Sequence, residues 1–408
     1  MFDWQAIVLE AAAIKASDVF WKAGAHPHVR IQGKIRRWDH HPVVTPEMTR
    51  AMADELMTER QQALFEEFPE RDIGLTIGDT CRLRINIFRQ QNTVGLVMRI
   101  IPLDILTIDE LELPPVLKDI AMSPQGVVLV TGPTGCGKST SLAAMIDHIN
   151  ENRQANIVTI EDPIEYVHRD KQSIVNQREV GIDTMTFSDA MKYVVRQSPD
   201  IILIGEMRDV ETMQVAMQAA ETGHLVFSTV HTPSAPETLE RIINMFPPHD
   251  KPQICLRMSK SLRAILCQAL IPRAGTEGRV AAVEVLIATP TVAKLIEEGR
   301  PGDTYAAMQE GGYWGVQTRN QALLKLYMDG TISARDALFY AGNYTEMRQM
   351  LRRVNPAEAE QAAREQPGIG GARGEVPEAQ RAAQEAARGG PRVTEDARRG
   401  RRPRRPEG

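Results

Sequence analysis

Cysteine is scarce in this sequence, and the four cysteines are widely spaced. Cys81, Cys136, Cys255 and Cys267 form no CxxC pair. This spacing argues against a disulfide framework and against a zinc site made of thiolates. It is typical of a protein kept in a reducing compartment, and we therefore predict a cytoplasmic location.

Long hydrophobic runs are lacking as well. No apolar run approaches the ~20 residues that a membrane-spanning helix needs. The first residues, MFDWQAIVLEAAAIKASD, open with acidic and polar side chains and contain no basic stretch, so we expect no signal peptide. We predict no direct membrane insertion, and any work at the inner face of the cytoplasmic membrane is expected to go through partners.

The sequence also lacks an excess of positive charge. The net charge of −5 provides no general attraction to nucleic acid or to an anionic membrane. Because no patch combines basic and aromatic residues either, we predict no nucleic-acid partner. Hydrophobic and charged fractions of 42% and 25% are ordinary for a soluble protein, and 408 residues suffice for two or three domains.

Short strand and helix signals alternate in residues 1–100. Residues 81–88 alternate apolar and polar side chains, and Arg82 and Arg84 lie on the polar face of this segment. The mixture predicts a small N-terminal α+β domain. The Leu- and Pro-rich residues 101–118 that follow are predicted to form an interdomain linker.

Fully apolar runs separated by helical segments distinguish residues 119–353. The runs lie at 127–130, 157–160, 201–204, 225–227 and 280–286. Strands without alternation are buried on both faces, which predicts an α/β domain with a mostly parallel sheet flanked by helices. Residues 354–408 have almost no large apolar side chains and are predicted to be a disordered tail.

A phosphate-binding loop is the strongest motif. The segment GPTGCGKS at 132–139 matches GxxxxGKS, follows an apolar strand and precedes a segment of helical periodicity. Glycines let backbone N–H groups turn toward phosphate oxygens, the lysine reaches the terminal phosphates, and the serine hydroxyl ligates Mg²⁺. The predicted nucleotide-binding residues are Gly132, Pro133, Thr134, Gly135, Cys136, Gly137, Lys138 and Ser139.

Carboxylates follow two of the predicted strands. Glu161, Asp162 and Glu165 come after the run at 157–160, and Glu206 comes after the run at 201–204. Ligands of an open α/β sheet lie at the carboxyl ends of its strands, and nucleotide hydrolysis needs one carboxylate to orient water and another near Mg²⁺. We interpret Glu165 and Glu206 as these groups, with capping of the next helices as the alternative.

Two histidines, His224 and His231, bracket the apolar run at 225–230. A single histidine is usually structural, but two that flank one strand near a nucleotide site favour sensing of phosphate or coupling of phosphate binding to motion. No carboxylate or cysteine stands at a spacing that supports a metal site here.

Taken in order, four motifs resemble the secretion ATPase superfamily of type II secretion and type IV pili. They are GPTGCGKST at 132–140, IVTIEDPIEY at 157–166, LIGEMRD at 203–209 and ETGHLVFSTVHT at 221–232. The resemblance spans roughly residues 5–350. It implies a P-loop, RecA-like core preceded by a PAS-like N-terminal domain.

Within the superfamily, the chain resembles the PilT/PilU group of type IV pilus retraction ATPases of twitching motility. The N-terminal domain is short, and the four-cysteine zinc motif of extension and type II secretion ATPases is missing. Residues 291–298, TVAKLIEE, are only partly similar to the AIRNLIRE-like segment of the main retraction motors. An accessory ATP-binding retraction paralogue, and a pilus extension or type II secretion ATPase, are the alternatives.

The resemblance also implies cofactors and residue roles. ATP and Mg²⁺ are the implied cofactors, and Thr140 joins the loop residues at the nucleotide and the metal. Glu165 is implied as the general base, Glu206 as a group at Mg²⁺ acting through water, and His231 as a sensor of the γ-phosphate.

Assembly is implied in the same way. The family forms hexameric rings in which a neighbour completes each nucleotide site, so the resemblance implies a homo-hexamer. An inner-membrane pilus platform protein and a paralogous retraction ATPase are the other implied partners. Arg82, on a face shared with Arg84 and Arg99, is then the candidate for an arginine that stabilises developing phosphoryl charge, with a solvated strand face as the alternative.

Overall fold

The computed structural model describes residues 2–31, 33–78 and 80–365, and these residues form two β-sheets flanked by helices. The strands are β1 (Asp18–Lys22), β2 (His28–Ile31), β3 (Lys34–Arg37), β4 (Glu70–Ile77), β5 (Cys81–Gln90), β6 (Thr93–Pro102), β7 (Gly126–Thr131), β8 (Asn156–Glu161), β9 (Ile174–Glu179), β10 (Ile201–Ile204), β11 (Leu225–Val230), β12 (Leu262–Pro272) and β13 (Arg279–Ile287).

The helices carry polar caps at most of their starts, as Thr45 before α2 and Asp209 before α7 illustrate. They are α1 (Trp4–Ala13), α2 (Pro46–Leu56), α3 (Glu59–Glu67), α4 (Val116–Ala121), α5 (Lys138–Asn152), α6 (Phe187–Val194), α7 (Val210–Glu221), α8 (Ala235–Asn244), α9 (Lys251–Ser261), α10 (Pro290–Glu297), α11 (Thr304–Glu310), α12 (Arg319–Met328), α13 (Ala334–Phe339), α14 (Tyr344–Val354) and α15 (Pro356–Arg364). Among the described residues, none of these helices is long and apolar enough to cross a membrane.

The N-terminal sheet is antiparallel, in the order β3-β2-β1-β6-β5-β4. Strand β5 alternates as the sequence predicts, with Leu83, Ile85 and Ile87 fully buried and the arginine face partly exposed. The buried face packs against helix α1, whose Trp4 and Val8 belong to the same core. An alternating strand thus has one face on the core and one face toward solvent.

The second sheet has the order β13-β12-β7-β11-β10-β8-β9, and only β13 runs antiparallel to its neighbour. The predicted α/β class with a mostly parallel sheet is confirmed. Helices cover both faces, with α5 on one side and α7 and α8 on the other. Strands β9 and β12 had no sequence prediction, because β9 is a largely polar edge strand and β12 is rich in Leu and Ala, which do not favour strand over helix.

Within the described residues, the six parallel strands have their carboxyl ends at one edge of this sheet, and β7, β11, β10 and β8 are the four inner ones. Thr131 at the end of β7 pairs with Val230, and Ile204 at the end of β10 pairs with both Ser228 and Ile160. The segments that follow β7, β11, β10 and β8 therefore leave the sheet side by side. This edge carries the site described below.

The predicted linker is wrong in extent and character. Strand β6 continues to Pro102, so the N-terminal sheet ends later than predicted. Farther along, Ile108, Leu113 and Leu117 are buried in the same core as helix α5. Residues 108–117 therefore belong to the packing of the second sheet, because Ile108, Leu113 and Leu117 cover that core.

The predicted disorder from residue 354 is wrong for residues 356–364. Helix α15 begins there, with the side chain of Asn355 as its N-cap and Pro356 in the first turn. Ala359 and Ala362 are buried against α13 and α14. Alanine is a strong helix former but a weak sign of burial, so composition alone missed this helix. Residues 366–408, which complete the predicted tail, lie outside the described residues.

Candidate active site

The phosphate-binding loop lies between the buried strand β7 and helix α5. Gly132 has a φ of 136°, and a Cβ there would lie 2.4 Å from the carbonyl oxygen of Gln268 and 2.7 Å from Sγ of Cys136. Gly137, with a φ of 89°, is the N-cap of α5. Glycine is therefore required at both positions. At Gly132 it lets the loop lie against the backbone of β12, and at Gly137 it lets the loop turn into α5, whose first N–H groups are available to bind an anion.

Lys138 is nearly buried, with 9% of the residue exposed, and its Nζ donates to the carbonyl oxygens of Gly132 (3.0 Å) and Pro133 (3.2 Å). The ammonium is therefore folded back across the loop at the positive end of a helix. Anionic phosphate oxygens accept stronger hydrogen bonds from an ammonium than carbonyls do. The loop thus fits a phosphate group, as its sequence predicts.

Glu206 follows β10 and contacts two partners. Its Oε2 lies 2.7 Å from Nη2 of Arg208, and its Oε1 lies 3.3 Å from Nε2 of His231. The hydrogen bond from His231, followed by that from Arg208, lowers the pKa of Glu206 to about 2. The carboxylate is consequently ionised at neutral pH.

His231 and His224 do not share a role. His231 follows β11 at the carboxyl edge of the sheet and is 3.3 Å from Glu206. His224 precedes β11 at the opposite edge, where its Nδ1 lies 2.9 Å from the carbonyl oxygen of Ala219 at the end of α7. The interpretation of His224 as a phosphate sensor is wrong, because a six-residue strand separates it from this edge.

The segment after β8 places two carboxylates differently. Glu161 accepts hydrogen bonds from Thr159 (2.6 Å) and from Gln177 (3.1 Å), and burial raises the pKa of its carboxyl group. Glu165 is exposed at the same edge of the sheet. Glu161 therefore anchors the segment, whereas Glu165 is accessible to a water molecule or a ligand.

The segment after β8 is linked to the phosphate-binding loop directly. Tyr166, next to Glu165, has its hydroxyl 2.8 Å from Oγ1 of Thr140 in the first turn of α5. Lys138, Ser139 and Thr140 all lie in the first turn of α5. Helix α5 thus contacts the segment that carries Glu165, the predicted base. Together with Glu206 and His231, these residues occupy one edge of the sheet.

Arg82 lies apart from this group, on β5 of the N-terminal sheet. Its Nη2 is 3.0 Å from Oε2 of Glu179 at the end of β9, and its side chain is 20% exposed. The same Oε2 accepts a hydrogen bond from the backbone N–H of Ile164 at 3.4 Å. Arg82 is therefore not a solvated side chain but joins the two sheets within one chain, next to the segment that carries Glu165.

Three residues at the site were not singled out from the sequence. Arg208 and Tyr166 stand inside the quoted motifs, so the motifs themselves could have revealed them. Gln268 on β12 accepts a hydrogen bond from Oγ of Ser141 at 2.7 Å and lies beside Gly137. No sequence pattern indicated Gln268, since its role comes from the pairing of β12 with β7.

Comparison with known proteins agrees with this geometry. The family model described as "Type II/IV secretion system protein" matches residues 3–312. The chain is 45% identical to the type IV pilus retraction ATPase PilT of Pseudomonas aeruginosa over 322 residues, which are 79% of this chain and 93% of that protein. It is 41% identical to the type IV pilus ATPase PilU of the same organism over 344 residues, 84% of this chain and 90% of that protein.

A solved structure extends the likeness to the fold. The structure of the pilus retraction motor PilT with bound ADP superposes with a TM-score of 0.80 at 41% identity, covering 86% of this chain and all of that one. Sequence, fold and the nucleotide-binding edge of the sheet therefore agree. The chain belongs to the type II/IV secretion system protein family and, within it, to the PilT/PilU group of type IV pilus retraction ATPases.

Proposed function

We propose that this chain is the subunit of a homo-hexameric, ATP-hydrolysing motor that powers type IV pilus retraction. The observation that carries the proposal is the shared sheet edge of the phosphate-binding loop, the Glu206–His231 pair and the Glu165 segment. The relatives named for pilus retraction support the same conclusion. Its two expected domains are the N-terminal α+β domain, extended to the end of β6, and the ATPase domain, which includes the packed residues 108–117 and helix α15.

Each residue has a distinct task in this proposal. Lys138 and the first N–H groups of α5 bind the terminal phosphates, and the Ser139 hydroxyl would ligate Mg²⁺. When bound, ATP supplies the phosphoryl group and Mg²⁺ neutralises part of its charge. Glu206, held ionised by its partners, would accept hydrogen bonds from water bound to the metal.

Glu165 completes the hydrolytic site. As an exposed carboxylate beside the loop it accepts a proton from the attacking water and orients it toward the γ-phosphate. His231, close to Glu206, contacts the γ-phosphate and links its presence to the position of strand β11. Loss of that contact after hydrolysis is the step that starts a conformational change.

Arg82 is proposed to act on the nucleotide of a neighbouring subunit. In one chain its guanidinium is held by Glu179, so the ion pair must open before the arginine reaches a neighbour. Binding of Arg82 to developing phosphoryl charge then ties hydrolysis to rotation of the N-terminal domain against the ATPase domain. The ring acts at the cytoplasmic side of the inner membrane by pushing on the pilus platform protein.

A deletion strain tests the proposal. Cells without this protein are expected to keep surface pili, in increased number, and to lose twitching. Wild-type protein restores twitching, and the Glu165→Gln variant does not. A loss of surface pili on deletion would instead assign the chain to pilus extension or secretion.

An accessory ATP-binding paralogue is the second candidate, and two observations favour it. Helix α10, which contains most of residues 291–298, departs from the segment of the main motors, and identity to PilU approaches that to PilT. An accessory subunit docks on a true motor and contributes little hydrolysis of its own. Steady ATP hydrolysis by the isolated protein excludes this candidate.

A further inference from the structure

A second cluster of titratable side chains lies on the N-terminal sheet, outside the nucleotide site. Glu10 stands in the last turn of α1, and His40 and His41 stand in the connection from β3 to α2. Nε2 of His40 is 2.9 Å from Oε1 of Glu10, and Nε2 of His41 is 3.0 Å from Oε2. One ligand atom from each residue lies within 4.8 Å of the other two.

His41 is more than the partner of an ion pair. Its Nε2 is buried and makes no hydrogen bond of acceptable geometry, although Oε2 of Glu10 is only 3.0 Å away. A buried nitrogen without a hydrogen bond costs free energy. In the neutral tautomer that carries its proton on Nδ1, this nitrogen presents a lone pair to the cluster.

The two imidazole rings are held in place by their surroundings. Their centroids lie 4.2 Å apart, and the buried Trp38 packs against both, at 5.2 Å from His40 and 5.0 Å from His41. Nδ1 of His26 is 2.7 Å from the carbonyl oxygen of His41 and fixes the backbone of the connection.

The distances suit a metal ion. Nitrogen and oxygen ligands that are each about 2.1 Å from zinc lie about 3.0–3.5 Å from one another. We propose that Glu10, His40 and His41 form a binding site for a divalent cation that accepts imidazole ligands, such as Zn²⁺. Mg²⁺ is a poor occupant because it prefers oxygen ligands. With three protein ligands, water completes the coordination.

An occupied site joins two elements that are distant in sequence. The metal would tie the end of α1 to the connection that leads into α2, and these helices already meet where Nε1 of Trp4 donates to Glu55 at 3.1 Å. A ligand that binds only the folded chain raises its stability by RT ln(1 + c/Kd), where c is the free metal concentration, so the gain grows with the logarithm of that concentration. The site therefore stabilises the N-terminal sheet without taking part in hydrolysis.

Zinc titration of the full chain, prepared without a histidine tag and with nucleotide, Mg²⁺ and other metals removed, tests the site. We expect calorimetry to show one Zn²⁺ per chain and thermal unfolding to shift upward with Zn²⁺. The His40→Ala and Glu10→Gln variants are each expected to bind Zn²⁺ at least about tenfold more weakly. Both residues are half-exposed, so neither change removes core packing.

The matched control is His249→Ala. His249 is an exposed histidine 3.6 Å from Asp250, and within the described residues it belongs to no three-ligand cluster. Its loss should leave zinc affinity unchanged. Absence of one-to-one binding, or wild-type affinity in both the His40→Ala and the Glu10→Gln variants, overturns the proposal and leaves the cluster as an ion pair alone.

Discussion

At the scale of single residues, the phosphate-binding loop depends on space at Gly132. An alanine there adopts a φ of 136° and meets the carbonyl oxygen of Gln268 at 2.4 Å, whereas at Gly135 a Cβ has nothing within 4 Å. Gly135→Ala is destabilising only because alanine is strained at a φ of 78°. We expect Gly132→Ala to destabilise the protein by about 2 kcal/mol more than Gly135→Ala, because overpacking is added to backbone strain.

Thermal or denaturant unfolding of the two variants measures this difference, and nucleotide affinity provides a second reading. The Gly132→Ala variant should lose both stability and affinity. Equal stability of the two variants would show that β12 does not constrain the loop.

Glu206 gives a pH-dependent prediction. Its pKa is about 2 in the folded protein and about 4.3 in an unfolded chain, so the group is depressed. Its contribution to stability is then fully present above about pH 4.3 and is lost as the pH falls toward the folded value. We expect wild type to be more stable than Glu206→Gln at neutral pH, with the difference shrinking as the pH is lowered below about 4.

The unfolding free energies of the two proteins, compared from pH 7 to the lowest pH at which both still fold, provide the measurement. His231→Ala removes the strongest cause of the shift and is the informative companion variant. A difference between wild type and Glu206→Gln that grows as the pH falls would contradict the proposed ion pairing.

At the scale of elements, helix α15 provides a test of packing. Ala359 is 1% exposed, whereas Ala357 in the first turn of the same helix is exposed. An aspartate at 359 buries a charge with no partner, and one at 357 lies favourably near the helix N-terminus. We expect Ala359→Asp to cost at least about 2 kcal/mol of stability and Ala357→Asp to change it by less than about 0.5 kcal/mol.

Thermal or denaturant unfolding measures the stability of both variants. Because both replace alanine by aspartate in the same helix, the difference in intrinsic helix propensity is the same for both and cancels in the comparison. Equal, small effects would mean that α15 is not docked on α13 and α14.

The elements that the sequence revealed are those whose burial follows from a local pattern. Alternation in β5 and continuous apolar runs such as β10 predicted strands correctly. Strand β9 and helix α15 escaped because one is polar and the other is covered by alanines, and their stability comes from neighbours distant in sequence. Periodicity shows which side of an element is buried, but it does not show which other elements cover that side.

At the scale of the whole molecule, the site likewise combines features that follow from local sequence patterns with contacts between elements distant in sequence. The loop at 132–139 and the carboxylates after β8 and β10 could be predicted because parallel strands present their carboxyl ends together. The pairing of Glu206 with His231, and of Arg82 with Glu179, could not, because both depend on distances between separate elements. The roles of these residues stay predictions.

Action of Arg82 on a neighbour's nucleotide is testable by mixing two inactive proteins. Arg82→Ala subunits keep Glu165, and Glu165→Gln subunits keep Arg82. A mixed ring then contains interfaces at which one subunit supplies the arginine and the next supplies the base. We expect each variant alone to lose at least about 10²-fold in ATP hydrolysis and the mixture to recover a clear fraction.

The control is a mixture of Glu165→Gln with Glu206→Gln, in which both changes fall in the same domain. A Glu179→Gln variant breaks the ion pair but keeps Arg82. It therefore distinguishes the effect of losing the ion pair from the effect of losing the arginine. No recovery in the mixture of Arg82→Ala with Glu165→Gln would mean that Arg82 acts only within its own chain.

Steady-state ATP hydrolysis by purified Glu165→Gln, measured beside its ATP affinity, is the sharpest test of Glu165 as the general base. We expect hydrolysis to fall at least about 10²-fold and ATP affinity to change by less than about threefold, because the base is lost and the phosphate-binding loop is intact. Lys138→Ala, in contrast, should lose affinity, and Glu310→Gln, an exposed site elsewhere, should behave as wild type. Hydrolysis at the wild-type rate by Glu165→Gln would mean that Glu165 is not the base and that the proposed hydrolytic site is wrong.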